Sequence, residues 1–227
     1  MKKIIKSLIL SGILVTVFSC SKEILKEADT AYLEYQTKTE LELPFNEEWW
    51  VFWGGRSVGE NYHTLLREQR FALDIVQRID GKTHTGNGKQ NHDYYCFGKR
   101  LNAPGGGKIV DVVNDIEDNI PGKFNQDSPT GNRVIIDHEN GEFSILAHFK
   151  KGSIIVSVGD EILKGQELGK AGNSGNSSEP HLHYHLQTTA DPFNGEGLPA
   201  QFQNYYADKV FVKRGEPVKS QSIRNGD

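Results

Sequence analysis

Short β-type runs cut by glycine-rich turns recur along this chain, and no long segment carries the 3.6-residue apolar period of a helix. Lys108 to Val113, Arg133 to Asp137, Phe143 to His148, Ser153 to Val156 and Gln166 to Gly169 all read as strands. Leu41 to Phe45 and Trp49 to Gly55 add two aromatic segments with a turn between them. Runs this short and closely spaced pair most readily with their sequence neighbours, so the pattern predicts an all-β domain built on antiparallel sheet.

Two passages, Leu101 to Val110 and Val158 to Gly169, echo each other as the halves of a barrel-sandwich fold do. Lipoyl carriers share that pattern but need an exposed lysine at a hairpin tip, usually after an aspartate, and no Asp-Lys pair stands there. The start of the chain is of another kind. Lys2, Lys3 and Lys6 precede a short apolar run from Leu8 to Phe18, too brief for a comfortable membrane span, which fits a signal peptide. Val17-Phe18-Ser19-Cys20 resembles a bacterial lipobox, with cleavage before Cys20 and lipidation of its thiol. The expected organisation is a lipoprotein signal over 1–19, a polar tether over 20–40, the domain over 41–197 and a C-terminal extension over 198–227. Phe202, Tyr205, Tyr206 and Phe211 form an aromatic patch in that extension, expected to pack on the domain's flank.

Three of the 26 basic residues lie in 1–19, which leaves 23 against 30 acidic ones and a net charge of −7. A net acidic chain without a basic cluster is a poor partner for nucleic acid. With Cys20 committed to the anchor, Cys96 stands alone between aromatics in Tyr94-Tyr95-Cys96-Phe97, a buried thiol rather than half of a disulfide.

The chemistry concentrates after the loop Gly172-Asn173-Ser174-Gly175, where Pro180 releases His181, His183 and His185 at alternate positions. On a strand, His181 and His183 project from one face, roughly 6.5–7 Å apart. That spacing suits one imidazole on a metal and its neighbour beside the open coordination position. A catalytic zinc commonly takes three protein ligands and leaves a fourth position for water. Asp74, the single acid in the apolar run Phe71-Ala72-Leu73-Asp74-Ile75, is the best oxygen donor, because a carboxylate there needs a cation or a partner. His63, eleven residues before Asp74, leads as the third ligand. His84 and His92 compete from loops rich in glycine and asparagine, which are less rigid platforms. His148, at the end of the run from Phe143, and His181 are the natural pair to handle protons beside the metal.

Together Asp74, Leu146-Ala147-His148, Gly172 to Gly175 and Pro180-His181-Leu182-His183 resemble the lysostaphin/LytM-type zinc metallopeptidases, which cut peptide bonds in bacterial cell walls. The resemblance spans roughly residues 60–190. It implies one Zn²⁺ per chain held by His63, Asp74 and His183, a metal-activated water flanked by His148 and His181, and peptidoglycan stem peptides as substrate. His138 matches a common family position that is not a ligand, and His185 reads as structural. One departure stands out: the family's first zinc histidine falls four residues before the aspartate, where this chain has Arg70, and His63 fits the variant with a longer insert. Arg70 also supports an alternative, a catalytically inactive member that activates a cell-wall amidase through a regulatory contact. The lipobox implies a lipid anchor through Cys20 in the cell envelope, on an outer membrane facing the periplasm or the surface.

Overall fold

The structure is a computed structural model that describes residues 32–226. The signal segment and Cys20 lie outside the described residues. Among those residues, thirteen strands run in chain order as β1 Trp49–Trp53, β2 Leu73–Val76, β3 Arg100–Asn102, β4 Gly107–Val113, β5 Asn132–Asp137, β6 Phe143–Phe149, β7 Glu161–Ile162, β8 Glu167–Lys170, β9 Leu182–Gln187, β10 Gly197–Leu198, β11 Phe202–Ala207, β12 Val210–Gly215 and β13 Ser222–Asn225. The only helical elements described are two short 3₁₀ turns, Tyr62–Leu65 and Asn91–Asp93.

Eleven strands make one sheet in the order β12-β11-β13-β1-β2-β9-β6-β5-β4-β7, with β10 beside β9, and β3 pairs β8 in a second sheet. All of these pairings are antiparallel and the large sheet ends at β12 and β7 rather than closing into a barrel. The all-β antiparallel expectation therefore holds. The two echoing passages lie side by side, through β3 with β8 and β4 with β7.

Two expected strands differ. Ser153 to Val156 forms no ladder, although Ile154 and Val156 are buried and Ile155 is exposed. Leu41, Leu43 and Phe45 are wholly buried, yet the segment makes only a single bridge from Leu41 to Phe202. Alternating burial produced the strand signature in both, while isolated backbone hydrogen bonds, such as Glu42 N to Pro104 O and Ile155 N to Leu168 O, join them to their neighbours without a ladder.

The C-terminal strands are woven into the main sheet: β13 lies between β1 and β11, and Phe202 and Tyr205 are buried in the core. Phe211 in β12 stays exposed. At the other end, Glu142, on the β5–β6 turn, accepts hydrogen bonds from Tyr35 Oη, the Lys38 and Thr39 amides and Thr39 Oγ1. Residues 35–39 are thereby stitched to the sheet.

The period of two sorts the central strands. Leu182, Tyr184 and Leu186 of β9 and Leu73 and Ile75 of β2 enter the hydrophobic core. Burial of each such side chain contributes about 1.5–3 kcal/mol. Asp74, His183, His185 and Gln187 therefore point to the other face, where they are also buried. A sheet with an apolar face and a buried polar face needs partners for every polar group on the second.

Candidate metal centre and its cleft

Asp74 and His183 are register partners across β2 and β9, and Ala147 of β6 is the partner of His183 on its other side. The backbone ladders thus fix their distance: His183 Nδ1 lies 2.9 Å from Asp74 Oδ1. His63 arrives from the 3₁₀ turn, with Nε2 3.6 Å from Asp74 Oδ2. One donor atom from each of His63, Asp74 and His183 falls within 4.8 Å of the others, and all three residues are buried. His84 and His92 are not in this group: the His84 ring lies tilted against Tyr94, centroids 5.1 Å apart, and His92 is mostly solvent-exposed beside Asp93. Arg70 is buried with its guanidinium over the Phe71 ring, outside the group.

The turn that carries His63 is set by Asn61. Its side-chain amide donates to Gly55 O at 3.1 Å and Ala72 O at 2.9 Å, which fixes which end of the amide is oxygen. The opposite end, Oδ1, accepts from the His63 backbone N–H at 3.2 Å and lies 2.8 Å from His63 Nδ1. His63 therefore carries its proton on Nδ1, and its Nε2 lone pair faces Asp74.

His148 sits at a bulge. Arg133 pairs with Ala147 and Asn132 with Phe149, which leaves His148 unpaired between them at φ 65°. A bulge re-aims a side chain, and here it turns the imidazole into the cleft. Its Nδ1 donates to Ser174 O at 2.7 Å, so Nε2 is left bare. That carbonyl is held where two glycines touch: Gly131 at φ 58° and Gly175 at φ 83° pack so closely that a Cβ on Gly175 would lie 2.4 Å from Gly131 N. His181 is oriented the same way, with Nδ1 2.8 Å from Glu179 O and Nε2 3.6 Å from Asp74 Oδ1. Behind the loop, Cys96 Sγ contacts Pro180 O at 3.0 Å, and burial pushes its thiol pKa up to about 12, so it packs rather than reacts.

Burial depresses the His63 pKa to about 4 against the pull of Asp74, and depresses His148 well below the ordinary histidine value. The ring nitrogens of His63, His181 and His183 stand around one buried carboxylate and turn donor atoms and a single carboxylate toward one point. That donor set, two nitrogens and one carboxylate oxygen, fits a borderline dication such as Zn²⁺. The cluster forms the floor of a cleft of about 520 Å³. Phe52, Trp53, Tyr62 and Leu66 line it from β1 and the 3₁₀ turn, and Phe124, Asn176 and Glu179 from the loops.

The sequence pattern singled out the five residues the structure assembles here but missed Asn61 and the Ser174 and Glu179 carbonyls. The Asn-x-His spacing of a turn cap was the available signal for Asn61. Main-chain carbonyls leave none.

Residues 93–195 match the model of Peptidase family M23. The matched stretch contains His148, His181 and His183, whereas His63 and Asp74 precede it. The chain is similar to the peptidoglycan DD-endopeptidase ShyA of Vibrio cholerae, 39% identical over 64 residues, covering 28% of this chain and 14% of that protein. It is 38% identical over 68 residues to a metalloprotease of Buchnera aphidicola, covering 30% of this chain and 18% of the relative. The chain thus spans only a small part of the length of these curated relatives. The solved structure of the M23 metalloprotease pseudoalterin aligns over 83% of this chain and 96% of its own, at 16% identity and a TM-score of 0.46.

Proposed function

We propose that the protein, whose residues 93–195 match the model of Peptidase family M23, is a zinc-dependent endopeptidase that hydrolyses peptide cross-links of bacterial peptidoglycan. The observation that carries the reading is the convergence of His63, Asp74 and His183, their donor atoms within 4.8 Å of one another, at the floor of an open cleft.

His63 Nε2, the Asp74 carboxylate and one His183 nitrogen would hold the ion. A bound Zn²⁺ supplies Lewis acidity, which polarises a carbonyl and makes water nucleophilic near neutral pH. The remaining work falls to the chain. His148 and His181 each have Nδ1 tied to a main-chain carbonyl and Nε2 directed into the cleft. One of these Nε2 atoms takes the proton from the attacking water, and the resulting imidazolium returns it to the departing amine. The second ring's Nε2 faces the same point and orients the attacking water. The side chains of Trp53, Tyr62 and Leu66 line the cleft and offer apolar surface to a peptide substrate.

Lys2 to Cys20 support attachment to the cell envelope through a lipidated Cys20. A periplasm-facing anchor on an outer membrane would present directly cross-linked stem peptides, with a D-Ala to diamino-acid bond. Cross-linked muropeptides incubated with zinc-loaded protein lacking residues 1–20, beside His183→Ala, test the whole reading by chromatography. Chelator-sensitive conversion of dimers to monomers by the parent alone is the expected result. Unchanged dimers, with zinc bound and the fold intact, would favour an inactive member that regulates an amidase.

A further inference from the structure

The polar face of β9 continues past the metal centre as His183, His185 and Gln187, each of them buried. The Gln187 Nε2 group donates to Thr189 O at 2.8 Å and Asp191 O at 2.6 Å. Two carbonyl acceptors on one end of an amide fix that end as the NH₂, because the flipped amide would set oxygen against oxygen. Gln187 Oε1 therefore faces His185 Nε2, at 3.3 Å, and can only accept. His185 must carry its proton on Nε2. Its ring is 1% exposed and its two ring partners are an amide oxygen and another imidazole, so no anion is hydrogen-bonded to it to offset a second proton. Its Nδ1 is thus a bare acceptor, 3.0 Å from His183 Nε2. Every bond along this row has only one allowed direction.

We propose that His185 and Gln187 are positioning residues: a one-way hydrogen-bond chain anchored at Gln187 fixes His183 as the Nε2–H tautomer and so presents its Nδ1 lone pair to the metal. The proposal rests on the reading that His63, Asp74 and His183 hold an ion. His183 Nδ1 and Asp74 Oδ1 then approach to 2.9 Å as two acceptors, an arrangement that a cation between them resolves. Asn61 does the same for His63 with its own locked amide. Both histidine ligands are thus aimed by a carboxamide whose NH₂ is pinned by two backbone carbonyls, directly for His63 and through one imidazole for His183. Outer partners of this kind orient ligands and typically carry 10–100-fold in metal affinity.

The test has two independent readouts. In metal-free, ¹⁵N-histidine-labelled protein, long-range ¹H–¹⁵N spectra should show His183 and His185 both protonated on Nε2. Zinc affinity measured by chelator competition should fall about 10–100-fold in His185→Phe, which keeps the ring but removes the acceptor. His185→Asn, whose Oδ1 falls near the lost Nδ1, should recover most of that affinity. Thermal unfolding of the metal-free variants separates this effect from a damaged fold, which would lower both variants alike. A His183 protonated on Nδ1, or equal zinc affinity in parent and His185→Phe, would overturn the chain. A parent that binds no zinc would instead overturn the metal centre, and the spectra would still decide the tautomer.

Discussion

Asp74 and His183 meet across paired strands, whereas His63 and His148 reach the same point from irregular backbone. In the strand half, β2, β9 and β6 ladders set the distances, and any side chain at positions 74 and 183 would be delivered to the same place. His63 has no such frame, and His148 is framed only through its paired neighbours Ala147 and Phe149. His63 depends on the Asn61 carboxamide, and His148 on a bulge, a left-handed φ and one carbonyl of a loop packed against Gly131. The contrast shows where the site is robust. Ladder-borne residues are insured by many backbone bonds, while loop-borne ones hang on two or three side-chain bonds and a glycine contact.

The largest effect should come from the point where the halves join. Removal of zinc by a chelator, or His183→Ala, is expected to lower muropeptide cleavage about 10³-fold, since Lewis-acid stabilisation supplies several kcal/mol at 1.36 kcal/mol per tenfold. Added zinc should restore the stripped parent but not the variant. Residual cleavage in His183→Ala above a tenth of the parent rate would show that the strand half is dispensable.

Next comes the loop half's tightest contact. Gly175→Ala adds a Cβ 2.4 Å from Gly131 N at φ 83°, so either the two loops separate or the backbone leaves its left-handed conformation. Strain and overpacking together should cost about 3 kcal/mol of stability, read by urea unfolding. Cleavage should fall further than stability alone explains, because the Ser174 carbonyl that aims His148 moves with the loop. An unchanged unfolding midpoint would remove this contact from the account.

A matched pair sharpens the comparison. Asn61→Ala breaks bonds to Gly55, Ala72 and His63 and should cost about 2–3 kcal/mol together with about 10–100-fold in zinc affinity. Ile75→Val, next to Asp74 but in the core, should cost only about 1 kcal/mol and leave zinc affinity unchanged. Equal losses of affinity in the two would mean that the strand half is as fragile as the loop half.

The same division explains what could be read from sequence. Strands β4, β5, β6, β8 and β9 follow from their own apolar runs, and Asp74 stands out as an acid amid apolar neighbours, because periodicity and burial are local properties. Ser153 to Val156 and Leu41 to Phe45 were misread for the converse reason: alternation reports burial, and pairing depends on a distant partner. That β13 would insert between β1 and β11 was likewise invisible, since no local pattern encodes sheet order. His63 could be preferred over His84 and His92 only by the rigidity of its surroundings, while its distance from Asp74 had to be seen. His185 read as a structural histidine because the fixed direction of its hydrogen bonds begins at Gln187 and the backbone of the following turn.

Glu142 asks whether anchoring by side-chain hydrogen bonds is general in this fold or special to the site. It belongs to neither half of the site and ties residues 35–39 to the β5–β6 turn. Burial raises its pKa, but the donors from Lys38, Thr39 and Tyr35 outweigh that and leave it below the ordinary 4.5. A carboxylate lowered in the folded state adds stability that is complete above the unfolded pKa and fades as pH falls through the folded one. Glu142→Gln should therefore cost about 1–2 kcal/mol at pH 7, where an amide nitrogen would face hydrogen-bond donors. The gap to the parent should narrow steadily below pH 4.5, with zinc affinity at pH 7 unchanged. A gap that persists undiminished into acid would mean that packing around residues 35–39, and not the carboxylate's charge, holds this strap.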